Sequence, residues 1–443
     1  MTKENKKTKE GDSKMINRNL SESKRVKENS GITLIALVVT IVVLIILATV
    51  SILAVFGDNG IIAIAQKAKD KHEEGKAYET NILDDYASYI GNYLDGKGGN
   101  QGGDGKVTLP DGWNGDKVNP VKSEDNIVVP VPKGYTASTV TGEKSVSSGF
   151  VIKEGSNGGA TSGINEFVWV PVSNISDIYD EANNAGQLWD FGTSSSPKNP
   201  AVKITYPTTK NSGRREPDVV TGASSGSDSS SGSSYDAEST NLQQAGMSST
   251  ATASTFKTQL QNEFNEMIKS AKTYGGFYIG RYETGNLSNS TKAVVQKNNS
   301  DINNQTWYTM YKMCKTIKAN DNVATSMLWG CQWDATLRWM QTSTNSEVAN
   351  FPTNSTGKGN YRDTNGNAPI PTGSNSSYSV NNIYDMAGNV YDWTMEANDT
   401  DYRVARGGAY NVTASNSPAS SRISNLPTSS YSYRSCRSTL YVK

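Results

Sequence analysis

The strongest pattern along the chain is an apolar run that begins after Gly31 and ends at Phe56. These 25 residues carry no charge, and as a helix they would be about 37 Å long at 1.5 Å per residue. A bilayer core is about 30 Å thick, and no strand of a soluble sheet runs this far without a turn signal. The pattern therefore predicts a transmembrane helix over residues 32–56.

The next two segments are predicted to form a stalk and a linker. In residues 57–94, apolar and aromatic side chains recur at spacings of three and four, which is typical of an amphipathic helix. Residues 95–106 hold six glycines and no large apolar side chain, so we expect a flexible linker there. A separately folded domain is predicted to begin at residue 107.

Residues 107–443 show short apolar runs separated by long polar stretches. Predicted strands cover residues 127–131, 167–172 and 277–282, and predicted helices cover residues 256–271, 307–317 and 331–340. Residues 211–254 lose apolar content in favour of Ser, Gly, Thr and Asp, which predicts a disordered insert within the domain. The predicted fold class is α+β, with a long N-terminal transmembrane helix followed by an irregular, loop-rich domain.

The composition excludes several kinds of chemistry. The chain has 43 basic and 43 acidic residues, so no nucleic-acid partner is expected. Its only histidine is His72, outside the predicted domain, which argues against His-dependent hydrolysis and His-ligated zinc. Three cysteines without a short C-x-x-C spacing permit at most one disulfide, and Cys314 with Cys331 is the pairing we expect.

The N-terminal 30 residues indicate orientation and processing. They carry nine Lys or Arg against five Asp or Glu, so this end should stay in the cytoplasm and the domain should lie outside the cell. The junction at Gly31 and Ile32 resembles the type IV prepilin signal, which implies cleavage by a prepilin peptidase after residue 31 and contact with a pilus assembly machinery. That family usually has Glu where this chain has Ala36, which favours a minor, tip or membrane-resident protein. A plain signal anchor is the alternative.

Three C-terminal stretches, residues 384–393, 403–410 and 433–437, carry a second resemblance. Their Gly-Asn-Val-Tyr-Asp-Trp, Arg-Gly-Gly-Ala-Tyr and Arg-Ser-Cys-Arg elements resemble, in order, those of the formylglycine-generating enzyme (sulfatase-modifying factor) family. The resemblance extends over roughly residues 126–443 and implies a fold of the C-type-lectin kind.

The same resemblance implies a metal site and argues against catalysis. The family places a structural calcium where this chain has Asp385, Gly388, Val390 and Asp392, and hard cations favour such oxygen ligands. In the alternative interpretation, Asp392 caps a turn and Asp385 is solvated. The family's oxidases hold copper with two cysteines five positions apart, but five positions before Cys436 stands Tyr431, so copper and catalysis are not expected.

Residues 409–432 form the predicted binding segment. They are dense in Asn, Ser, Thr and Tyr, a composition that gives adaptable polar contacts and rigid aromatic anchors. The predicted ligand-binding residues are Tyr410, Asn411, Thr413, Asn416, Asn425, Tyr431 and Tyr433. The segment also resembles the tract that retroelements diversify in some lectin-fold proteins, and a plain solvent loop is the alternative.

Taken together, the sequence predicts a pilin-like, single-pass membrane protein. Its domain would be non-catalytic and would present a binding surface outside the cell to an unidentified protein or glycan. A formylglycine-generating oxidase and a structural pilin subunit are the two alternatives.

Overall fold

The computed structural model describes residues 38–39, 41–45, 69, 107–160, 163–205, 214–222, 235–287, 292–318, 320–342, 346–364, 366–398 and 400–443. The chain divides into two compact units, residues 1–100 and 101–443. The predicted leader, stalk and linker, with Gly31 and Ile32, lie outside the described residues, apart from residue 69. Their boundaries stay a prediction.

The predicted fold class is wrong. Residues 38–39 and 41–45 are helical, but no helix within the described ranges is both long enough and apolar enough to cross a membrane. The long N-terminal transmembrane helix is therefore not supported. The C-terminal unit is mostly β with few helices, because its apolar residues come in short runs broken by Gly, Pro and Asn rather than in helical periods.

A six-stranded antiparallel sheet forms one half of the C-terminal unit. Its strands, in spatial order, are β14 (Val323–Met327), β21 (Ser438–Val442), β11 (Gly276–Gly280), β5 (Glu166–Pro171), β4 (Val151–Glu154) and β3 (Tyr135–Ala137). The predicted strands at 167–172 and 277–282 correspond to β5 and β11, which pair directly. Strand β21 lies between β11 and the edge strand β14, so it is hydrogen-bonded on both sides.

A second sheet carries the C-terminal motifs. Its strands are β10 (Arg214–Arg215), β17 (Tyr391–Asn398), β18 (Tyr402–Arg406), β19 (Arg422–Asn425) and β20 (Arg434–Cys436). Four of these strands form an antiparallel path in the order β10, β17, β18, β19, whereas β20 pairs with β17 in parallel. The predicted binding segment therefore begins after β18 and ends just before β20, and both of these strands pair with β17.

The remaining strands form two-stranded ribbons. They are β1 (Val118–Lys122) with β2 (Val128–Pro132), β6 (Tyr179–Asp180) with β7 (Ala185–Gly186), β8 (Trp189–Thr193) with β9 (Ser196–Lys203), β12 (Gly285–Asn286) with β13 (Ala293–Val294), and β15 (Ser379–Val380) with β16 (Ile383–Tyr384). The predicted strand at 127–131 corresponds to β2.

The α-helices in the described part of the C-terminal unit are α1 (Ser239–Gln244), α2 (Ala253–Tyr274), α3 (Trp307–Cys314), α4 (Gly330–Gln341) and α5 (Ser346–Ala349). Short 3-10 helices span Ile175–Asp177 and Ser376–Tyr378. Helix α2 begins at a capping box of Thr252 with Thr255 and ends at Gly275, which has a positive φ. Its apolar face, including Phe256, Leu260 and Phe264, is buried against the core.

Part of the predicted disordered insert at 211–254 is ordered, contrary to the expectation. Glu216 is buried, and its carboxylate accepts hydrogen bonds from the backbone N–H groups of Gly330 (2.6 Å) and Cys331 (2.5 Å), at the start of α4. Asp236 is fully buried and forms an ion pair with Arg403 at 2.7 Å. Single acidic side chains with distant partners order these stretches, and composition does not reveal such contacts.

Candidate functional site

The backbone of the predicted binding segment is held by contacts to its main-chain atoms. The hydroxyl of Tyr361 donates to the carbonyl oxygens of Gly407 (3.0 Å) and Ser417 (2.8 Å), and the indole of Trp333 donates to that of Ala419 (3.0 Å). At Gly408, φ is +81° and a Cβ would lie 2.2 Å from the Ser417 carbonyl oxygen, so the turn requires glycine. The backbone of the segment is thus held in place by side chains that lie outside the segment.

The first group of predicted ligand-binding residues lies in the turn after β18. Asn411 and Asn416 are exposed, and Tyr410 and Thr413 are half-buried. The carbonyl of Thr413 accepts from the N–H of Asn416 (3.2 Å), and Asp363 accepts from the N–H of Ala414 (3.3 Å). These contacts close the turn and leave the two asparagine side chains directed to its surface.

The second group, Asn425, Tyr431 and Tyr433, comes together at the other end of the segment. The rings of Tyr431 and Tyr433 stack with centroids 5.0 Å apart, and the Tyr431 hydroxyl donates to Oδ1 of Asn425 at 3.3 Å. We call these three residues with Arg434 the aromatic patch. Of the seven predicted residues, the structure joins these three by direct contacts.

Arg434 lies beneath the two tyrosines. Its guanidinium carbon is 4.5 Å from the ring centroid of Tyr431 and 4.7 Å from that of Trp393. The residue is only 2% exposed, yet Nε and Nη1 have no hydrogen-bond partner among the residues that the structure describes. Burial lowers the pKa of Arg434 below its usual value, and the neighbouring tyrosines act in the opposite direction. A desolvated cation with two free donors is the main electrostatic feature of the patch.

A groove of about 410 Å³ lies at the other end of β19. The β8–β9 ribbon contributes Asp190 and Lys203 to its wall, and the predicted segment contributes Ser420 and Arg422. Arg422 is paired with Asp334, so its charge is largely compensated. The groove and the aromatic patch therefore lie at opposite ends of one short strand. The arginine of the groove is paired with a carboxylate, whereas Arg434 in the patch is surrounded by aromatic rings.

The residues of the predicted calcium site are part of a buried acidic cluster around Arg437. The cluster comprises Glu283, Asp301, Asp385 and Asp392, all buried. Burial raises the pKa of Asp301 to about 6 and that of Asp392 to about 7, and burial with the neighbouring carboxylates raises the pKa of Glu283 far above its usual value. Burial and mutual repulsion therefore favour the protonated forms of these carboxyl groups, and the nearby Arg437 guanidinium opposes this at Glu283 and Asp392.

The predicted calcium ligands do not fit an ion in this arrangement. Arg437 Nε contacts Oδ2 of Asp392 at 3.2 Å, and its Nη2 donates to the carbonyl oxygens of Tyr384 (2.9 Å) and Asp385 (3.0 Å). The Asp385 carboxylate accepts instead from Gly373 N–H at 2.8 Å. Within the described ranges, no three or more His, Cys, Asp or Glu side chains are arranged to hold a metal ion. The guanidinium thus occupies the charge environment that the resemblance assigns to calcium.

The expected Cys314–Cys331 pairing is wrong. The thiol of Cys436 lies 3.4 Å from that of Cys314, and both are buried. Tyr431 belongs to the aromatic patch, where its ring covers Arg434. Cys331 is the second residue of α4, and its backbone N–H donates to the Glu216 carboxylate. Spacing along the chain did not reveal that two cysteines 122 positions apart would meet.

Comparisons with known proteins yield only distant structural likeness. No family model matches the chain, and no curated protein matches it. Among solved structures, the chain is similar to the crystal structure of CarF, with 13% identity and a TM-score of 0.28, over 38% of this chain and 87% of that one. It is similar to PvdO from Pseudomonas aeruginosa (15%, TM-score 0.25, 38% and 82%) and to Treponema denticola variable protein 1 (13%, TM-score 0.27, 64% and 98%).

Proposed function

We propose that this chain is a non-catalytic ligand-binding protein of the cell surface, and that its aromatic patch recognises an anionic group on the ligand. One observation carries the proposal: Tyr431 and Tyr433 lie over Arg434, whose Nε and Nη1 are buried without acceptors among the described residues. Display outside the cell and pilin-like processing are part of the proposal that depends on residues outside the described ranges.

The chemistry of the patch favours a carboxylate, sulfate or phosphate group. A guanidinium presents its donors in a planar fork that matches such groups, and an unsatisfied buried donor costs about 1–3 kcal/mol. An anion that reached Nε and Nη1 would therefore satisfy two donors and compensate the charge together. The stacked tyrosines would supply apolar contact area with little loss of side-chain freedom, since each has only two χ angles.

Reaching Arg434 requires movement of the tyrosines that cover it. Tyr431 and Tyr433 are half-buried, Ser432 between them is exposed, and the Tyr431 hydroxyl has only the 3.3 Å bond to Asn425 as a side-chain hydrogen bond. Side-chain rearrangement at a binding surface is common, whereas the backbone usually moves little. We therefore expect the tyrosines to turn outward on binding while β20 stays in place.

The test is an array of glycans and peptides that carry a carboxylate, sulfate or phosphate, each printed beside its uncharged counterpart and probed with the full-length chain. We expect binding to charged members, and at least a tenfold loss for Arg434→Gln, because a hydrogen bond to a charged group contributes about 1.5–3 kcal/mol. Lys144→Gln is the matched control, since Lys144 forms an exposed pair with Glu124. It should bind as the wild type does.

Two outcomes would contradict the proposal. Equal binding to charged and uncharged members would remove the anionic group from it. Unchanged binding by Arg434→Gln, with loss of binding by Asn411→Ala, would move the site to the turn after β18.

A further inference from the structure

Two of the three cysteines meet in the core of the C-terminal unit. Cys314 is the last residue of α3, and Cys436 is the last residue of β20. Their sulfur atoms are 3.4 Å apart, and neither residue is exposed. A disulfide has an S–S distance of about 2.05 Å, so the two atoms need to approach by a little over 1 Å. Cys331 has no thiol neighbour within the described ranges.

We propose that Cys314 and Cys436 form a disulfide site that is oxidised when the chain folds outside the cytoplasm. The oxidant is a disulfide, either oxidised glutathione or the oxidised form of a dithiol oxidoreductase. One cysteine thiolate attacks the oxidant and forms a mixed disulfide, and the second cysteine then displaces the remaining thiol of the oxidant. The two cysteines lose two electrons and two protons, and the oxidant becomes two thiols.

The timing follows from burial. A thiol reacts as its thiolate, and burial raises the pKa of Cys436 far above its usual value, with the neighbouring Cys314 thiol adding to the effect. The packed domain therefore holds Cys436 as an unreactive thiol, and a bulky oxidant reaches neither of the two buried sulfurs. Oxidation belongs to the stage before α3 closes over β20, and the same burial afterwards protects the bond from reduction.

The bond would fasten the end of the predicted binding segment. Strand β20 follows directly after Tyr431 and Tyr433, and it is held by parallel pairing with β17 over three residues. A covalent link from Cys436 to α3 would keep this strand in place while the tyrosines above it move. The link closes a long loop, since the two residues are 122 positions apart, and long loops restrict the unfolded chain most.

The test counts free thiols in the full-length chain after export to an oxidising compartment. The protein is denatured and treated with N-ethylmaleimide, and the intact mass is measured with and without prior reduction. Because the chain has three cysteines, we expect one adduct without reduction and three after it. A non-reduced digest should contain one linked pair of peptides, which carry Cys314 and Cys436.

Two variants keep the test decisive. Cys331→Ser should show no adduct without reduction, whereas Cys314→Ser should show two. Three adducts on the exported wild-type chain, or a linked peptide that contains Cys331, would overturn the proposal. Peptide mapping of the wild-type protein gives the answer even where a variant fails to fold. The inference rests on the location outside the cell that the proposed function includes, but ligand binding plays no part in this readout, so failure of the disulfide and failure of ligand binding can be told apart.

Discussion

Arg434 and Arg437 stand three residues apart in the same C-terminal stretch, and both are buried, yet their surroundings are opposite. Arg437 lies among four carboxylates, and its donors contact Asp392 and the carbonyl oxygens of Gly280 and Tyr384. Arg434 lies among aromatic rings, and two of its nitrogens have no acceptor in the described part of the chain. One guanidinium completes the fold, and the other keeps binding capacity that the fold does not use.

The contrast shows that burial alone does not tell a structural arginine from a functional one. The informative quantity is the balance between donors and acceptors around the group. Around Arg437, acceptors outnumber cations, so removing the cation leaves the buried Asp392 carboxylate without its partner. Around Arg434, donors outnumber acceptors, so removing the cation leaves no orphaned anion. The two substitutions should therefore differ in both size and kind of effect.

The largest expected effect is that of Arg437→Met on stability. Breaking a buried ion pair by removing one partner typically costs about 3–5 kcal/mol, because the other charge stays buried without a partner. We expect a loss of about that size in the free energy of unfolding, measured by urea denaturation at pH 7. Arg434→Met is the matched variant, and an equal loss in both would remove the distinction between the two sites.

A smaller effect should appear in the pH dependence of stability. Burial raises the pKa of Asp301 to about 6, so the folded state binds this proton more tightly than the unfolded state. The stabilisation that this proton gives the folded state is therefore fully present below about pH 4, the usual pKa of an aspartate. It is lost as the pH rises through about 6. It amounts to roughly 2–3 kcal/mol, since one pKa unit corresponds to about 1.4 kcal/mol.

Asp301→Asn tests this contribution because it removes the titrating carboxyl group. Its free energy of unfolding should fall less than that of the wild type between pH 4 and pH 7 in urea titrations. Asp125→Asn is a control in which the pKa shift has the opposite sign. Burial raises the pKa of Asp125, but hydrogen bonds from Ser123, Ser147 and Val146 outweigh burial and lower this pKa below its usual value. Parallel pH profiles for the wild type and Asp301→Asn would contradict the expectation.

The smallest expected effect is that of Arg434→Met on stability. The variant loses cation–π contacts with Trp393 and Tyr431, which contribute about 0.5–2 kcal/mol. It also removes two unsatisfied buried donors, each of which costs about 1–3 kcal/mol in the wild type. We expect a net change within about 1 kcal/mol in the same denaturation assay. A loss above about 3 kcal/mol, the size expected for a broken buried ion pair, would mean that Arg434 is a structural residue.

The sequence predicted local elements well and long-range partners poorly. Strands β5 and β11 and helices α2 and α4 follow from apolar runs and spacing, which are local properties. The role of Glu216 depends on backbone N–H groups 114 and 115 positions away, so a composition-based prediction placed it in a disordered insert. The predicted fold class was wrong in its long N-terminal transmembrane helix for a related reason. That helix was predicted from an apolar run alone, and such a run carries no tertiary information.

The candidate site shows the same division. The residue types of the binding segment indicated Asn425, Tyr431 and Tyr433, and in the structure Tyr431 contacts both of the others. Nothing in the sequence separated them from the Tyr410 group, and Arg434 received no role because its lack of an acceptor exists only in three dimensions. The resemblance assigns Asp385 and Asp392 to a calcium site, and it gives no reason to expect a guanidinium beside their oxygen atoms.

The contacts that hold the binding segment have a consequence for how its sequence can change. Tyr361 and Trp333 donate to carbonyl oxygens, and the backbone N–H of Trp307 donates to that of Pro427, so these partners contact atoms that every residue possesses. The path of the segment is thus largely independent of its exposed side chains. A library randomised at Asn411 and Asn416 should yield mostly folded proteins, which makes this turn a ready-made scaffold for selecting new binding specificities.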